Sequence, residues 1–400
     1  MAIKFNYTTG YAGTGKSTEL IKRVNSLPLS SAIVIAPTHK ALYRLKGHLP
    51  QSLEVKTIHA LLGWIPTINE KAKRIEHIDS THKLDKGLEE YEHIVIDEAG
   101  MMSEEMLFDI VSKLEEQLDY DNTEDSKTIT IHCFLDPYQL KPVKGIQIQT
   151  DPEYTTKLTT QYRSESLDII ALYTKFVHYL EGLNTKDLTI EYSENVKPLD
   201  IKQFKKDDRL LAYTNKAVGN WNKIIAKHLG ITSYISQEVQ LGNRLDLVKV
   251  KDFIKPSLED LVMWFESGKL VLQNNQISKR FLESNLQALI SNGNIEFIES
   301  DDRLVYCVIV GIDKANIAIN KAKEKAIENR RAFKDVYALG RAFIMDYNFA
   351  TTVHKSQGSE FNNIFIDKLD IQKSIKNNYY DLYARLLYVA LSRAKQSIWI

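Results

Sequence analysis

Cysteine, net charge and long apolar runs are what this chain has least of. Two cysteines stand in 400 residues, Cys133 and Cys307, far apart and each inside an apolar, strand-like run. So placed, they read as buried thiols in a reducing compartment rather than as a disulfide or a metal site. No apolar stretch approaches the ~20 residues of a membrane-spanning helix. The first residues lack the charged-then-apolar pattern of an export signal, and no targeting tail or internal repeat is visible. The expected setting is therefore cytoplasmic. Lys plus Arg number 52 and Asp plus Glu number 52, so the formal net charge is zero. Global electrostatics gives a nucleic-acid partner no support, and any such partner must be held by local contacts.

What is present is an ordinary globular composition, 44% apolar and 26% charged. The length is too great for one core and implies two to four domains. Residues 3–9 read as a strand running into a glycine loop, with a helix from Lys16 to about Asn25. SAIVIAP closes a second strand at Pro37, before a helix starting near Thr38. HIVIDEAG and TITIHCFLD supply a third and a fourth strand, the last ending at Asp136. Apolar strands alternating with helices, with polar motifs at strand ends, predict an α/β fold whose parallel sheet holds a ligand at its carboxyl edge. Residues 64–90 alternate instead (WIPTINEKAKRIEHID) and predict a hairpin outside the sheet, while 119–127 read as a polar loop. A second unit begins near 165, with strands in RLLAYTN, FNNIFIDK and QSIWI and a helix at 377–392. Residues 230–345 interrupt it, with short strands expected at 269–273, 294–298 and 304–312 and a helix from about 315 to 333.

GYAGTGKS at 10–17 carries the clearest chemistry. Gly10, Gly13 and Gly15 let the backbone curl, so that its N–H groups, with Thr14 and Thr18 beside them, face phosphate oxygens at a helix N-terminus. Lys16 would reach the β- and γ-phosphates of ATP, and the Ser17 hydroxyl would bind Mg²⁺. Asp97 and Glu98, in DEAG, end an apolar strand. Asp97 suits the surroundings of Mg²⁺, and Glu98 suits deprotonating an attacking water. Gln139, in LDPYQLKPV, offers an amide to the γ-phosphate and the water. Arg163 in QYRS and Arg393 in YVALSRAK are candidate cations for the charge that hydrolysis leaves on phosphoryl oxygens. Tyr162 offers a flat face to adenine. Each of these residues alone has an ordinary structural reading; the ordered series gives them weight.

A second set concerns a track. Pro37, Thr38 and His39 (in APTHKA), Thr57 and His59 (in TIHALLG), Thr214 and Asn215 (in AYTNKA), and His354 with Lys355 lie at strand-to-helix junctions. Such groups hold phosphates and sugars without reading bases. Trp64 and Trp221 are candidate stacking platforms, although tryptophan is more often core.

These motifs resemble superfamily 1 helicases, and in APTHKA, TIHALLG, QLKPV, AYTNKA and VHKSQGSEF the branch that includes bacterial RecD and, most similarly, phage Dda-type DNA helicases. The matches run from residue 10 to 395. The resemblance implies two RecA-like domains, one of 1–63 and 91–163 and the other of 164–229 and 345–400. It also implies a hairpin "pin" over 64–90 and a small β-barrel-like insertion over 230–344. ATP and Mg²⁺ would lie at Lys16, Ser17, Asp97, Glu98, Gln139, Arg163 and Arg393, with Glu360 near the ribose. Single-stranded DNA and duplex junctions would be the partners, with 5′ to 3′ movement. A monomer acting in replication, repair or recombination, beside single-strand-binding or replication proteins, in bacterial or phage-infected cytoplasm, is implied as well.

Three departures are visible. Members carry a Gln upstream of the glycine loop that recognises adenine, whereas nine residues precede Gly10 here, which predicts adenine held by stacking on Tyr162. Leu135 stands where Gly usually precedes the Asp, and the pin tip around Asn69–Lys73 has no aromatic. An RNA helicase of the same superfamily is the nearest alternative, since backbone contacts do not exclude RNA. A nucleic-acid-binding assembly factor switched by ATP, without unwinding, is the alternative from another class.

Overall fold

A parallel sheet needs apolar strands buried on both faces, and the first half of the chain supplies them. A computed structural model describes residues 2–69, 74–79, 90–119, 128–142, 145–162, 166–183, 188–241, 247–273, 289–328, 336, 338–340, 342–376 and 380–400. The described chain divides into two compact units, one of Met1–Val196, Gln357–Asn362 and Ile375–Ser397, the other of Lys197–Ser356, Asn363–Ser374 and Ile398–Ile400.

In the first unit, β1 (Ala2–Gly10) leads to α1 (Lys16–Asn25), β2 (Ala32–Ala36) to α2 (His39–Lys46), and β3 (Glu54–Thr57) to the short α3 (Ile58–Leu61). After β4 (Trp64–Asn69) and β5 (Arg74–Asp79) come β6 (His93–Ile96), α4 (Glu104–Asp119), β7 (Thr128–Leu135), β8 (Thr155–Leu158) and α5 (Leu167–Leu180). The six-stranded sheet has the order β3-β2-β6-β7-β1-β8 and is parallel throughout. Strand alternation sorts its side chains to two faces. Ile33, Ile35, Ile94, Ile96, Ile131 and Cys133 pack with Ile110 and Leu114 of α4. Val34, Val95 and Phe134 pack with Leu20 and Val24 of α1 and Leu45 of α2. Non-consecutive neighbours along the sheet require crossovers, and these bring the carboxyl ends of β1, β2, β6 and β7 to one edge.

β4 and β5 pair antiparallel as a separate two-stranded sheet, from Trp64 opposite Asp79 to Asn69 opposite Arg74. This is the hairpin that the alternation predicts; residues 70–73 of its tip lie outside the described residues, as do 120–127 of the expected polar loop.

In the second unit, Arg209–Ala212 runs parallel to Ala350–Thr352 on one side and to Ile364–Ile366 on the other. The intervening chain forms a closed sheet. Strands Glu238–Leu241, Val248–Ile254, Glu296–Ser300 and Val305–Val310 are antiparallel neighbours. Phe343–Tyr347 pairs antiparallel with the first and parallel with the last, so the ring closes. Val239, Val250, Ile298, Val308 and Met345, drawn from all of these strands, form one apolar cluster. The opposite faces, through Phe297, Cys307 and Ile309, pack on Ala315, Ala318 and Ala322 of the helix Ile312–Glu328. The ring gives each of these five strands two neighbours, and the short strand Leu270–Val271 pairs parallel with Val305–Tyr306 at its margin. Both cysteines are buried and unbridged.

Candidate functional site

β1 ends at Gly10 and α1 begins at Lys16, so the glycine loop is the whole connection. Gly13 and Gly15 have φ of 84° and 82°, a region that side chains strongly disfavour. A Cβ at Gly10 would lie 2.9 Å from the Leu158 carbonyl oxygen. The Lys16 ammonium is folded back on the loop, donating to the Gly10 and Tyr11 carbonyls at 2.7 Å each, and lies 3.9 Å from Asp136 Oδ2. Thr14 is buried and donates to the Tyr11 carbonyl, whereas Thr18 is exposed on α1. The chain returns over the loop at Gln161, whose amide donates to the Ala12 carbonyl, and at Tyr162, whose N–H donates to Gly13. The Tyr162 ring stands 72% exposed, 3.5 Å from where a Gly15 Cβ would be. Arg163 lies outside the described residues.

Asp97 and Glu98 follow β6 at the same edge. Glu98 has φ 51° and ψ 37°, a left-handed conformation unusual for a non-glycine residue and often found where function demands it. Asp97 is buried, and burial together with the adjacent Glu98 charge pushes its pKa up to about 6, against the pull of Arg44. Arg44, on α2, is the residue that motif reading missed. Its Nη2 donates to Ser17 Oγ at 3.0 Å and to Asp97 Oδ2 at 3.3 Å, and lies 3.6 Å from Glu98 Oε1. The sequence signal for it was slight: an Arg one turn beyond APTHKA, on the helix that this motif starts.

Asp136 and Gln139 occupy the turn after β7. The Gln139 amide donates to Asp136 Oδ2 at 3.4 Å and accepts from Gln357 Nε2 at 3.3 Å. Two residues of the helix Asp381–Leu391 hold this turn from behind. Arg385 donates to the Pro137 and Gln139 carbonyls at 2.7 Å each. The buried Tyr388 hydroxyl donates to Asp136 Oδ2 at 2.6 Å and accepts from the Ala12 N–H at 2.7 Å, joining the glycine loop to the turn. Tyr388→Phe leaves a buried N–H unpaired, so we expect a loss of ~1–3 kcal/mol in unfolding free energy by urea denaturation. Arg393 is 1% exposed and donates to the Val389 and Ser359 carbonyls and to Ser392 Oγ. Glu360 is paired with Lys395 at 3.0 Å.

The track candidates divide between the units. Thr38, Thr57 and Thr214 are N-caps, each accepting from the backbone N–H three residues on at 3.2 Å. Pro37 leads into the first of these caps, His39 opens α2, His59 lies in α3 and Trp64 opens β4. In the second unit the Thr214 hydroxyl and the N–H groups of Tyr213 and Thr214 donate to the buried Asp370 carboxylate. Burial opposes that charge, but bonds from Lys373 and Thr214 outweigh it and hold the Asp370 pKa below the ordinary value. Asn215 opens the helix Asn215–His228. Trp221, on that helix, packs on the apolar core and donates to Asp367 at 2.7 Å, which is the core role of a tryptophan. His354 lies beside the Tyr213 ring, and burial lowers the pKa of both His354 and Lys355.

A family model described as an AAA domain matches residues 2–143, and one described as a UvrD-like helicase C-terminal domain matches residues 347–400. An uncharacterized protein of Acanthamoeba polyphaga mimivirus is 22% identical, covering 99% of this chain and 94% of that protein. Among solved structures, Bacteroides Pif1 bound to single-stranded DNA aligns with a TM-score of 0.53 at 18% identity, over 99% of this chain and 88% of that one. Pif1 helicase from Candida albicans aligns with a TM-score of 0.51 at 16% identity, over 99% and 90%. No helix among the described residues is long and apolar enough to cross a membrane.

Proposed function

We propose that this chain is a superfamily 1 helicase of the Pif1/RecD-like kind, an ATP-driven motor that moves 5′ to 3′ along single-stranded DNA and parts the duplex ahead of it. The observation that carries the reading is the convergence of Ser17, Asp97 and Glu98 on one cationic nitrogen, 3.0 to 3.6 Å away, next to a glycine loop and its lysine. Oxygens that already surround a cation fit Mg²⁺, a hard ion bound by one or two protein oxygens together with phosphates. Ser17 and Asp97 would hold it, and it would supply charge neutralisation at the β- and γ-phosphates.

The chain's own groups do the rest. Lys16 exchanges the Gly10 and Tyr11 carbonyls for phosphate oxygens, and the loop N–H groups surround the phosphates. Glu98 takes the proton of the attacking water, which Gln139 orients. Arg163 and Arg393 offset the charge developing on the phosphoryl oxygens. Tyr162 stacks on the base and Glu360 lies toward the ribose. The helix N-termini capped by Thr38, Thr57 and Thr214, with Pro37, His39, His59, Trp64, Asn215, His354 and Lys355, grip the strand through phosphate, sugar and stacking contacts. The proposed division is 1–63 with 91–163, the pin 64–90, 164–229 with 345–400, and the barrel insertion 230–344. A monomer working in the cytoplasm beside single-strand-binding or replication proteins completes the reading.

The motif wording of the RecD/Dda branch supports the polarity, and the shared fold with a single-strand-bound Pif1 favours DNA as the track. Duplexes with one single-stranded tail test both. We expect ATPase stimulated by an order of magnitude or more by single-stranded DNA, and unwinding from a 5′ tail only. Unwinding only from a 3′ tail refutes the polarity. Stimulation by RNA alone makes it an RNA helicase, and no stimulation makes it a switch.

A further inference from the structure

Arg44 stands where a metal ion is needed. Its Nη2 is within 3.6 Å of Ser17 Oγ, Asp97 Oδ2 and Glu98 Oε1, the oxygens assigned above to Mg²⁺ and to water activation. Mg²⁺ requires oxygens at ~2.0–2.1 Å, so an ion bound to Ser17 and Asp97 would press directly on the guanidinium. The two cations cannot share these ligands. We propose that Arg44 is an internal counter-cation that occupies the metal position when nucleotide is absent, refuses free divalent metal, and is displaced only when metal arrives with nucleotide phosphates.

The surroundings support both halves of this exchange. Asp97 and Glu98 are adjacent carboxylates with little exposure, and without a cation their repulsion is uncompensated. Arg44 therefore has a resting role. Its pose is also incomplete, since Nε is buried without a hydrogen-bond partner, so leaving sacrifices no bond there. The side chain extends from the eight-residue helix α2 on a long flexible stem, and the field of a third carboxylate, Glu360, also acts on it. An exchange of this kind makes the site accept metal and nucleotide together rather than in sequence. It links the metal site to α2, the helix that follows the Thr38 junction.

The inference rests on the reading of Ser17 and Asp97 as metal-binding residues, and the experiment separates the two. Binding of Mn²⁺ to nucleotide-free protein is measured by electron paramagnetic resonance, with ADP and without it. We expect wild type and Arg44→Lys to bind Mn²⁺ measurably only with ADP. Arg44→Gln should bind free Mn²⁺ about tenfold more tightly or better, because the attraction of the carboxylate pair is released to the ion. Adding Asp97→Asn should abolish that gain. Circular dichroism and thermal melting with and without Mn²⁺ accompany each variant: Arg44→Gln should be stabilised by Mn²⁺ alone, and wild type should not. Equal free Mn²⁺ affinity in wild type and Arg44→Gln overturns the proposal. If Mn²⁺ binding with ADP nevertheless depends on Ser17 and Asp97, the metal reading stands. Insensitivity of that binding to Ser17→Ala and Asp97→Asn overturns the metal reading itself.

Discussion

Glu98→Gln should lower DNA-stimulated ATP turnover by ~10²–10⁴-fold while leaving ATP binding nearly intact. The substitution removes one thing, the carboxylate able to accept a proton from water. Gln has the same length and the same backbone strain at φ 51°, so the turn that sets Asp97 is preserved. Glu98 contacts Arg44 at 3.6 Å, a longer distance than Ser17 or Asp97, so the guanidinium keeps its closer partners. Lys16→Ala provides the contrast. It removes the cation proposed to leave the Gly10 and Tyr11 carbonyls for phosphate, so binding itself should be lost. Fluorescent ATP titration and single-turnover hydrolysis distinguish the two variants. Near-normal turnover in a folded Glu98→Gln protein would remove Glu98 from the chemistry.

The second large effect concerns unwinding. β4 and β5 form a two-stranded sheet of their own, separate from the six-stranded sheet that carries the proposed nucleotide site. Replacing residues 68–75 with a Gly-Gly turn leaves Thr67 opposite Glu76 to close a shorter hairpin. Nothing at Lys16, Asp97 or Gln139 is touched. We expect single-strand-stimulated ATPase to stay within about twofold of wild type and duplex unwinding to fall below detection, because a motor that steps without a wedge leaves the junction closed. The tip sequence, Asn69 to Lys73, has no aromatic ring, so the proposed wedge would act by bulk. Loss of ATPase together with unwinding would show that the hairpin supports the fold; retention of unwinding would place the separating element elsewhere.

Much of this molecule can be read along the chain. Local interactions decide where the glycine loop, the strand ends and the helix caps fall. Apolar runs such as AIVIA and TITIHCFL are bounded by turn chemistry, and Thr38, Thr57 and Thr214 each cap the helix that follows them. Alternation in WIPTIN and RIEHID was enough to separate the hairpin from the buried sheet, because a strand with one polar face cannot lie inside a parallel sheet.

Contacts between distant segments were not legible in this way. The barrel closes only because Phe343–Tyr347 returns to pair with both Glu238–Leu241 and Val305–Val310, and no local pattern states which strands meet. Tyr388 lies within a helix whose local pattern is simply apolar, and only the fold brings its hydroxyl between Ala12 and Asp136. No local motif marks Asp370, yet it holds the Thr214 junction. Arg44 stands 53 positions from Asp97 in the chain and 3.3 Å from it in space. Sequence alone determined which chemical groups this protein carries and which local turns present them. Folding decided which charges face one another, because a Coulomb interaction depends on distance and burial, and neither is a property of position along a chain.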